Sequence, residues 1–285
     1  MIRIIADTLS CISPMEASRM QIPLLPQIII FGEKSYRDDY EISNQQFLKW
    51  LQKSTVLPKT AAPPPNLYHP VFKDAQKKND TLIVICPSAS LSGTFRSATV
   101  AAQDFPDTDI RIIDTRLIAA GLGSVVREAK RQLDNGVSAD AIVRGVKEMS
   151  VHEQLYVLVD TLEYLHKGGR IGGAKALFGS ILQLKPILTL EDGVIQPVES
   201  QRTKKNALSR IKALVMENKP ADQGSYLCIQ HGGADNAALE LADWFSRQLD
   251  LESVTIFNLP PAVLVHAGPR ALAISYFKMN SKGWT

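Results

Sequence analysis

Cysteine is scarce in this chain. There are three, Cys11, Cys86 and Cys228, an odd number set far apart. Cys86 and Cys228 lie inside apolar runs, where a free thiol behaves as a small hydrophobe, so neither a disulfide framework nor a zinc cluster is implied. A reducing, cytoplasmic setting is expected. Charge of one sign is lacking too: 32 basic and 29 acidic residues leave a formal net charge of +3, which gives no footprint for nucleic acid. The longest apolar stretch, IPLLPQIIIF, is broken by proline and glutamine and falls well short of the ~20 residues a bilayer span needs. No stable membrane insertion is expected, and MIRIIAD reads as a first strand rather than a signal peptide.

Familiar catalytic signatures are also missing. HEQLY carries tyrosine where a zinc-protease helix needs its second histidine, and no other His/Cys grouping has ligand spacing, so no metal is expected. Without a GxSxG elbow, the HGG at His231 to Gly233 has no nucleophile to serve. Neither GxxxxGK[ST] nor GxGxxG occurs, which leaves no nucleotide cradle and no cofactor implied. Any phosphoryl transfer would need ATP held by another protein. No internal repeat is visible.

What is present is an alternation of strands and helices in 285 residues that are 45% hydrophobic, enough for one large core or two smaller ones. RIIA, LPQIII, TLIVIC and IRIID read as strands. SNQQFLKWLQ, TFRSATVAAQDF and IAAGLGSVVREAKRQLDNG read as helices, and Ser138 opens another. This order predicts a Rossmann-like parallel sheet covered by helices on both faces over residues 1–153. From 154 to 285 the pattern changes. A hairpin signal at Asp192-Gly193, the basic helix TKKNALSRIKALVMEN and further strands predict a second α/β domain with a mixed or antiparallel sheet.

Three stretches stand out as candidate sites. SASLSGTFRSA, between a strand and a helix, gives hydroxyls at Ser92 and Thr94 around Gly93, at a helix N-terminus where anions sit well. Read alone, Ser92 is a helix cap. TLEYLHKGGRIGG surrounds Arg170 with four glycines, an arrangement suited to a carboxylate or phosphate and equally to a plain loop. LPPAVLVHAGPRALAISYF reads as two apolar strands with His266 beside the turn between them. There it is a hydrogen-bond donor, a proton shuttle or a satisfied strand-end residue.

Together these stretches resemble the DegV family of bacterial fatty-acid-binding proteins. The matching segments run in order along nearly the whole chain. They are Asp7 after the first strand, IPLLPQIIIFGEKSYRDD, the threonine-led proline segment at Thr60, SASLSGTFRSA, RIIDT, TLEYLHKGGRI, LKPILTLEDG, RTKKNAL and HAGPRALAISYF. SGT and GGRI are the specific ones.

The resemblance implies two α/β domains with a long-chain fatty acid in an apolar tunnel between them. It also implies a carboxylate held by Thr60, Ser92 and His266, with Arg170 on the headgroup side and associated, with His266, with phosphoryl transfer. It further implies presentation of the acid to a separate ATP-binding kinase subunit, so that the chain is a carrier rather than an enzyme. The only ligand then expected is the fatty acid, and Leu177, Phe178 and Ile181 of AKALFGSIL, read as a helix, are candidates for tunnel lining or for ordinary core. Two departures from the family pattern are present. Thr60 is followed by Ala61 and Ala62 in place of serine and glutamine, and Arg270 replaces the second glycine of a GPG, where it either adds an anion contact or obstructs a kinase. Two alternatives stay open: an enzyme acting on a small anionic or phosphorylated substrate in the same cleft, and a lipid sensor without kinase coupling.

Overall fold

The computed structural model describes residues 1–178, 184–218, 220 and 226–278. Ile181 lies outside them. The chain divides into two compact units, Met1–Ser43 with Pro58–Val151, and Asn44–Leu57 with His152–Thr285.

The first unit is built on β1 (Ile2–Asp7), β2 (Leu24–Leu25), β6 (Thr81–Cys86) and β7 (Ile110–Asp114), all parallel in the order β2-β1-β6-β7. TLIVIC is buried from Leu82 to Cys86, as a central parallel strand covered on both faces must be. One face packs on α3 (His69–Lys78) and α4 (Thr94–Ala102) through Ile5, Leu82, Val84, Phe72, Ala98 and Ala101. Within that layer Phe72 and Phe105 meet edge to face at 5.7 Å. The remaining helices of the unit are α1 (Pro14–Met20), α5 (Ala119–Asp134) and α6 (Ala139–Ser150), the last capped by the Ser138 hydroxyl.

A small antiparallel sheet, ordered β4-β3-β5, accompanies the parallel one, with β3 at Ile28–Phe31, β4 at Lys34–Arg37 and β5 at Lys59–Ala61. The run LPQIII, expected as one strand, is therefore split between two sheets. Pro26 lacks an N–H for a ladder, and the Gln27 N–H leaves strand pairing to donate to Thr8 Oγ1 and Asp38 Oδ1, at 3.0 and 2.9 Å.

The second unit holds a mixed sheet ordered β10-β9-β8-β13-β11-β12. Its strands are β8 (Glu153–Leu158), β9 (Lys185–Glu191), β10 (Val194–Gln201), β11 (Cys228–His231), β12 (Thr255–Asn258) and β13 (Leu272–Phe277). Within this sheet, among the described residues, only β11 and β12 pair in parallel. Asp192 and Gly193 both have positive φ, 49° and 77°, as a two-residue hairpin turn demands. Helices α8 (Lys204–Glu217) and α9 (Asp235–Leu249) cover one face, α8 burying Ala207, Ile211, Leu214 and Val215. The basic side of α8 is a solvated face: Arg210 pairs with Glu199 and Glu217, and Lys212 lies over the Trp244 ring. Helix α2 (Asn44–Lys53) belongs to this unit, where Asn44 donates to the Leu259 carbonyl.

Two sequence expectations are corrected here. PAVLVHA is a helix, α10 (Pro261–Ala267), and not a strand. A short apolar run fits either element, and Pro261 at the first helical position, where no N–H is needed, decides for the helix. AKALFGSIL does not continue as a helix through its described part: a 3-10 turn covers Gly172–Leu177 and Phe178 is extended. The helix α7 (Glu163–Lys167) precedes that turn.

Candidate functional site

The carboxyl ends of β1 and β6 lie side by side, and the loops that leave them carry the hydroxyls. Past Cys86 the chain turns back on itself, with the Leu91 and Ser92 N–H groups both donating to the Ser88 carbonyl. Gly93 then starts α4, and Ser92 Oγ lies 3.0 Å from Thr94 Oγ1 and accepts from the Thr94 N–H at 3.3 Å. Ser92 is half-buried, while Thr94 is buried and donates to Asp7 Oδ2 at 2.8 Å.

Asp7, the last residue of β1, is 1% exposed. Its carboxyl accepts from the Leu9 N–H at 3.1 Å and from Gln27 Nε2 at 2.7 Å, and the same Gln27 amide donates to Thr94 Oγ1 at 3.1 Å. Burial pushes the Asp7 acid up to about 7, more than its hydrogen bond from Thr94 draws it down, and the nearby Asp38 charge pushes the same way. A carboxyl group that exchanges its proton near neutrality therefore stands two hydrogen bonds behind Ser92.

Thr60 lies on β5 opposite Ile29. The proline segment after it closes against the serine loop: a Cβ on Gly93 would meet the Ala62 methyl at 3.4 Å, and Ser97 Oγ donates to the Pro63 carbonyl. The first unit thus brings Ala62 and Pro63, just after Thr60, against Gly93 and Ser97, with Asp7 and Gln27 joined to Thr94 behind Ser92.

The second unit assembles the other donors. His266 sits in the last turn of α10, and its imidazole rests on the backbone of Gly168 at the end of α7. A Cβ at Gly168 would lie 2.1 Å from His266 Nδ1, so only glycine leaves room for the ring. Arg170 donates to the Gly168 carbonyl at 2.8 Å, and its cation acts on His266. Burial first and Arg170 second pull His266 down to about 4, which leaves a neutral imidazole at physiological pH. It is a hydrogen-bond donor through one N–H rather than a proton shuttle near neutrality. Phe178 is 42% exposed with its ring stacked on His166 at 3.9 Å, and Leu177 is half-buried, so Phe178 is not ordinary core.

No group of three or more His, Cys, Asp or Glu among the described residues could hold a metal. Among the same residues no helix is long and apolar enough to cross a membrane. Each unit carries donors of its own, hydroxyls at a helix N-terminus in the first and a neutral imidazole and a guanidinium in the second, groups of the kind that offset the cost of burying an anion.

The family model described as "Uncharacterised protein, DegV family" matches residues 1–279. The chain belongs to the DegV family. A DegV domain-containing protein of Streptomyces coelicolor is 31% identical over 278 residues, 96% of this chain and 97% of that one. Among solved structures, a DegV family protein from Thermus thermophilus described as fatty acid binding superposes with a TM-score of 0.88 at 27% identity, over 98% of this chain and 99% of that one. Bacillus subtilis DegV, described as a fatty acid binding protein, gives 0.84 at 28% identity, over 97% and 99%. The fold is that of these DegV proteins, α/β with a parallel four-stranded sheet toward the N-terminus and a mixed sheet toward the C-terminus.

Against that family background Arg270 is the residue the structure explains best. It holds a left-handed backbone, φ 60°, the conformation a glycine would take without strain. Its Nε donates to Asp160 Oδ2 at 2.5 Å, so the cation is tied to a carboxylate of its own unit. Sequence reasoning placed neither Asp7 nor Gln27 in the site. Their signals were an acid closing an otherwise apolar strand and a glutamine interrupting an apolar run, both readable only with the Thr94 hydroxyl beside them.

Proposed function

We propose that this DegV protein binds a long-chain fatty acid and holds its carboxylate with Thr60, Ser92 and His266, Arg170 contributing its charge on the headgroup side. The observation that carries this reading is the Ser92–Thr94 hydroxyl pair at the start of α4, joined to a buried carboxyl and faced by the proline segment. The fatty-acid binding reported for the Thermus and Bacillus proteins, at 27% and 28% identity over nearly the whole chain, supports the same ligand class. An acyl chain of about sixteen carbons at ~0.8 kcal/mol per methylene has about 12 kcal/mol of gross transfer energy, the scale of a nanomolar complex before costs. On the resemblance to the DegV family, the proposal extends to a carrier role in which the carboxylate is offered to a separate ATP-binding kinase subunit.

The test is mass spectrometry of lipid extracted from the purified protein and from Ser92→Ala. One fatty acid per wild-type chain, depleted in the variant, is expected. A wild type that is empty and takes up no added fatty acid overturns the proposal.

A further inference from the structure

The hydrogen bonds behind Ser92 permit two proton arrangements, and they present opposite faces to an anion. Thr94 Oγ1 has one hydrogen and two lone pairs. With Asp7 ionised, the Thr94 hydrogen goes to Asp7 Oδ2, and its lone pairs take the Gln27 amide and the Ser92 hydroxyl. Ser92 has then spent its hydrogen inward and shows an incoming carboxylate only lone pairs. With Asp7 protonated, the acid donates to Thr94, Gln27 fills the second lone pair, and the Thr94 hydrogen must turn to Ser92 Oγ. Ser92, also accepting from the Thr94 N–H, then has its own hydrogen for the ligand.

We infer that Asp7 is a positioning residue which, through Thr94, sets the direction of the Ser92 hydroxyl, so that loading an anionic headgroup is coupled to uptake of one proton by Asp7. The inference rests on the carboxylate reading of Ser92 above. The proton comes from solvent, stays on the Asp7–Thr94–Ser92 chain while the ligand is bound, and returns to solvent on release; no covalent bond to the ligand forms or breaks. The titratable groups around Asp7 leave the role to it. Asp38, on the turn after β4, pushes the Asp7 proton affinity up by its charge, while Tyr68 before α3 and Cys86 at the end of β6 are themselves held protonated by burial and by the Asp7 charge. Asp7 itself exchanges its proton at about 7, within reach of a modest change in its surroundings. Asp7 touches no ligand atom on this account and acts only through Thr94.

Delipidated protein titrated calorimetrically with myristate below its micelle concentration, in buffers of different ionisation enthalpy between pH 6 and 9, reads the coupling directly. The wild type is expected to take up protons on binding above pH 7, and its affinity to fall toward tenfold per pH unit, the slope of one linked proton. Thr94→Val, which breaks the relay while keeping its shape, should bind more weakly and without that slope, and Asp7→Asn should also lose the slope. Glu153, a second acid whose proton affinity desolvation raises to about 8, is the control: Glu153→Gln should keep the wild-type slope. Binding by the wild type with no proton uptake overturns the inference and leaves the carboxylate reading standing. A slope that survives in Thr94→Val, or vanishes in Glu153→Gln, places the proton elsewhere and also overturns it. Failure of the wild type to take myristate at any pH overturns the carboxylate reading and this inference with it. Should Thr94→Val fail to fold by circular dichroism, the wild-type proton count and Asp7→Asn decide.

Discussion

Gly168→Ala should destabilise this protein, chiefly because of His266. The backbone at Gly168 is right-handed, φ −78° and ψ −5°, so alanine fits there without strain. Its Cβ, however, would lie 2.1 Å from His266 Nδ1, 2.9 Å from Cε1 and 3.0 Å from the Tyr164 carbonyl. Reaching an ordinary contact of 3.4 Å takes a shift of about 1.3 Å, and the atom in the way belongs to a planar ring on a packed helix. Overpacking of this kind costs about 1–3 kcal/mol, or roughly 2–4 °C of Tm per kcal/mol for a unit of this size. With His266 removed the sign reverses, since glycine to alanine at a compatible backbone stabilises by about 0.4–1 kcal/mol, less whatever the tight Tyr164 carbonyl takes back. Urea unfolding of the wild type, Gly168→Ala, His266→Ala and the double variant therefore gives a cycle with a coupling of roughly 1–4 kcal/mol. Equal effects of Gly168→Ala in both backgrounds would refute the claim that this glycine exists to seat the imidazole. The same displacement should empty Gly168→Ala of fatty acid, which the lipid extraction reads independently.

Asp7 holds its proton in the folded chain up to about 7, against 3.8 for an ordinary carboxyl, so the folded state binds more protons between those values. The stability this contributes is complete below about 4 and is lost as pH rises through 7. Between pH 5 and 8 the wild type should therefore lose on the order of 3 kcal/mol relative to Asp7→Asn in urea unfolding, and parallel pH profiles would contradict the raised value. Arg270→Gly relieves a left-handed arginine, worth about 1 kcal/mol, and gives up an exposed ion pair with Asp160, worth about 0–1. Unchanged or slightly raised Tm is expected, and a loss of several degrees would mean the Arg270–Asp160 pair does more than an exposed pair can.

How far the sequence could be read depended on how far apart the partners lie. TLIVIC, IRIID and the Asp192-Gly193 hairpin declare themselves within a few residues, because burial on both faces and positive φ leave local marks. Ser92 and Thr94 were legible as hydroxyls at a helix start, yet what they are joined to was not: Thr94 meets Asp7 87 residues away and Gln27 67 away. Helix α2 reads correctly as a helix, but its placement in the second unit hangs on contacts such as Asn44 to Leu259, 215 residues apart. His266 was expected at the end of a strand because an apolar run of seven carries no period that separates the two elements. The residues that escaped local reading nevertheless share a local signature. Asp7 ends an apolar strand with a charge, Gln27 follows a proline inside an apolar run, and Arg270 takes a conformation that suits glycine. Each is unfavourable where it stands until a distant partner is counted, so in this chain a residue that its neighbours cannot justify points to the candidate site or to residues next to it.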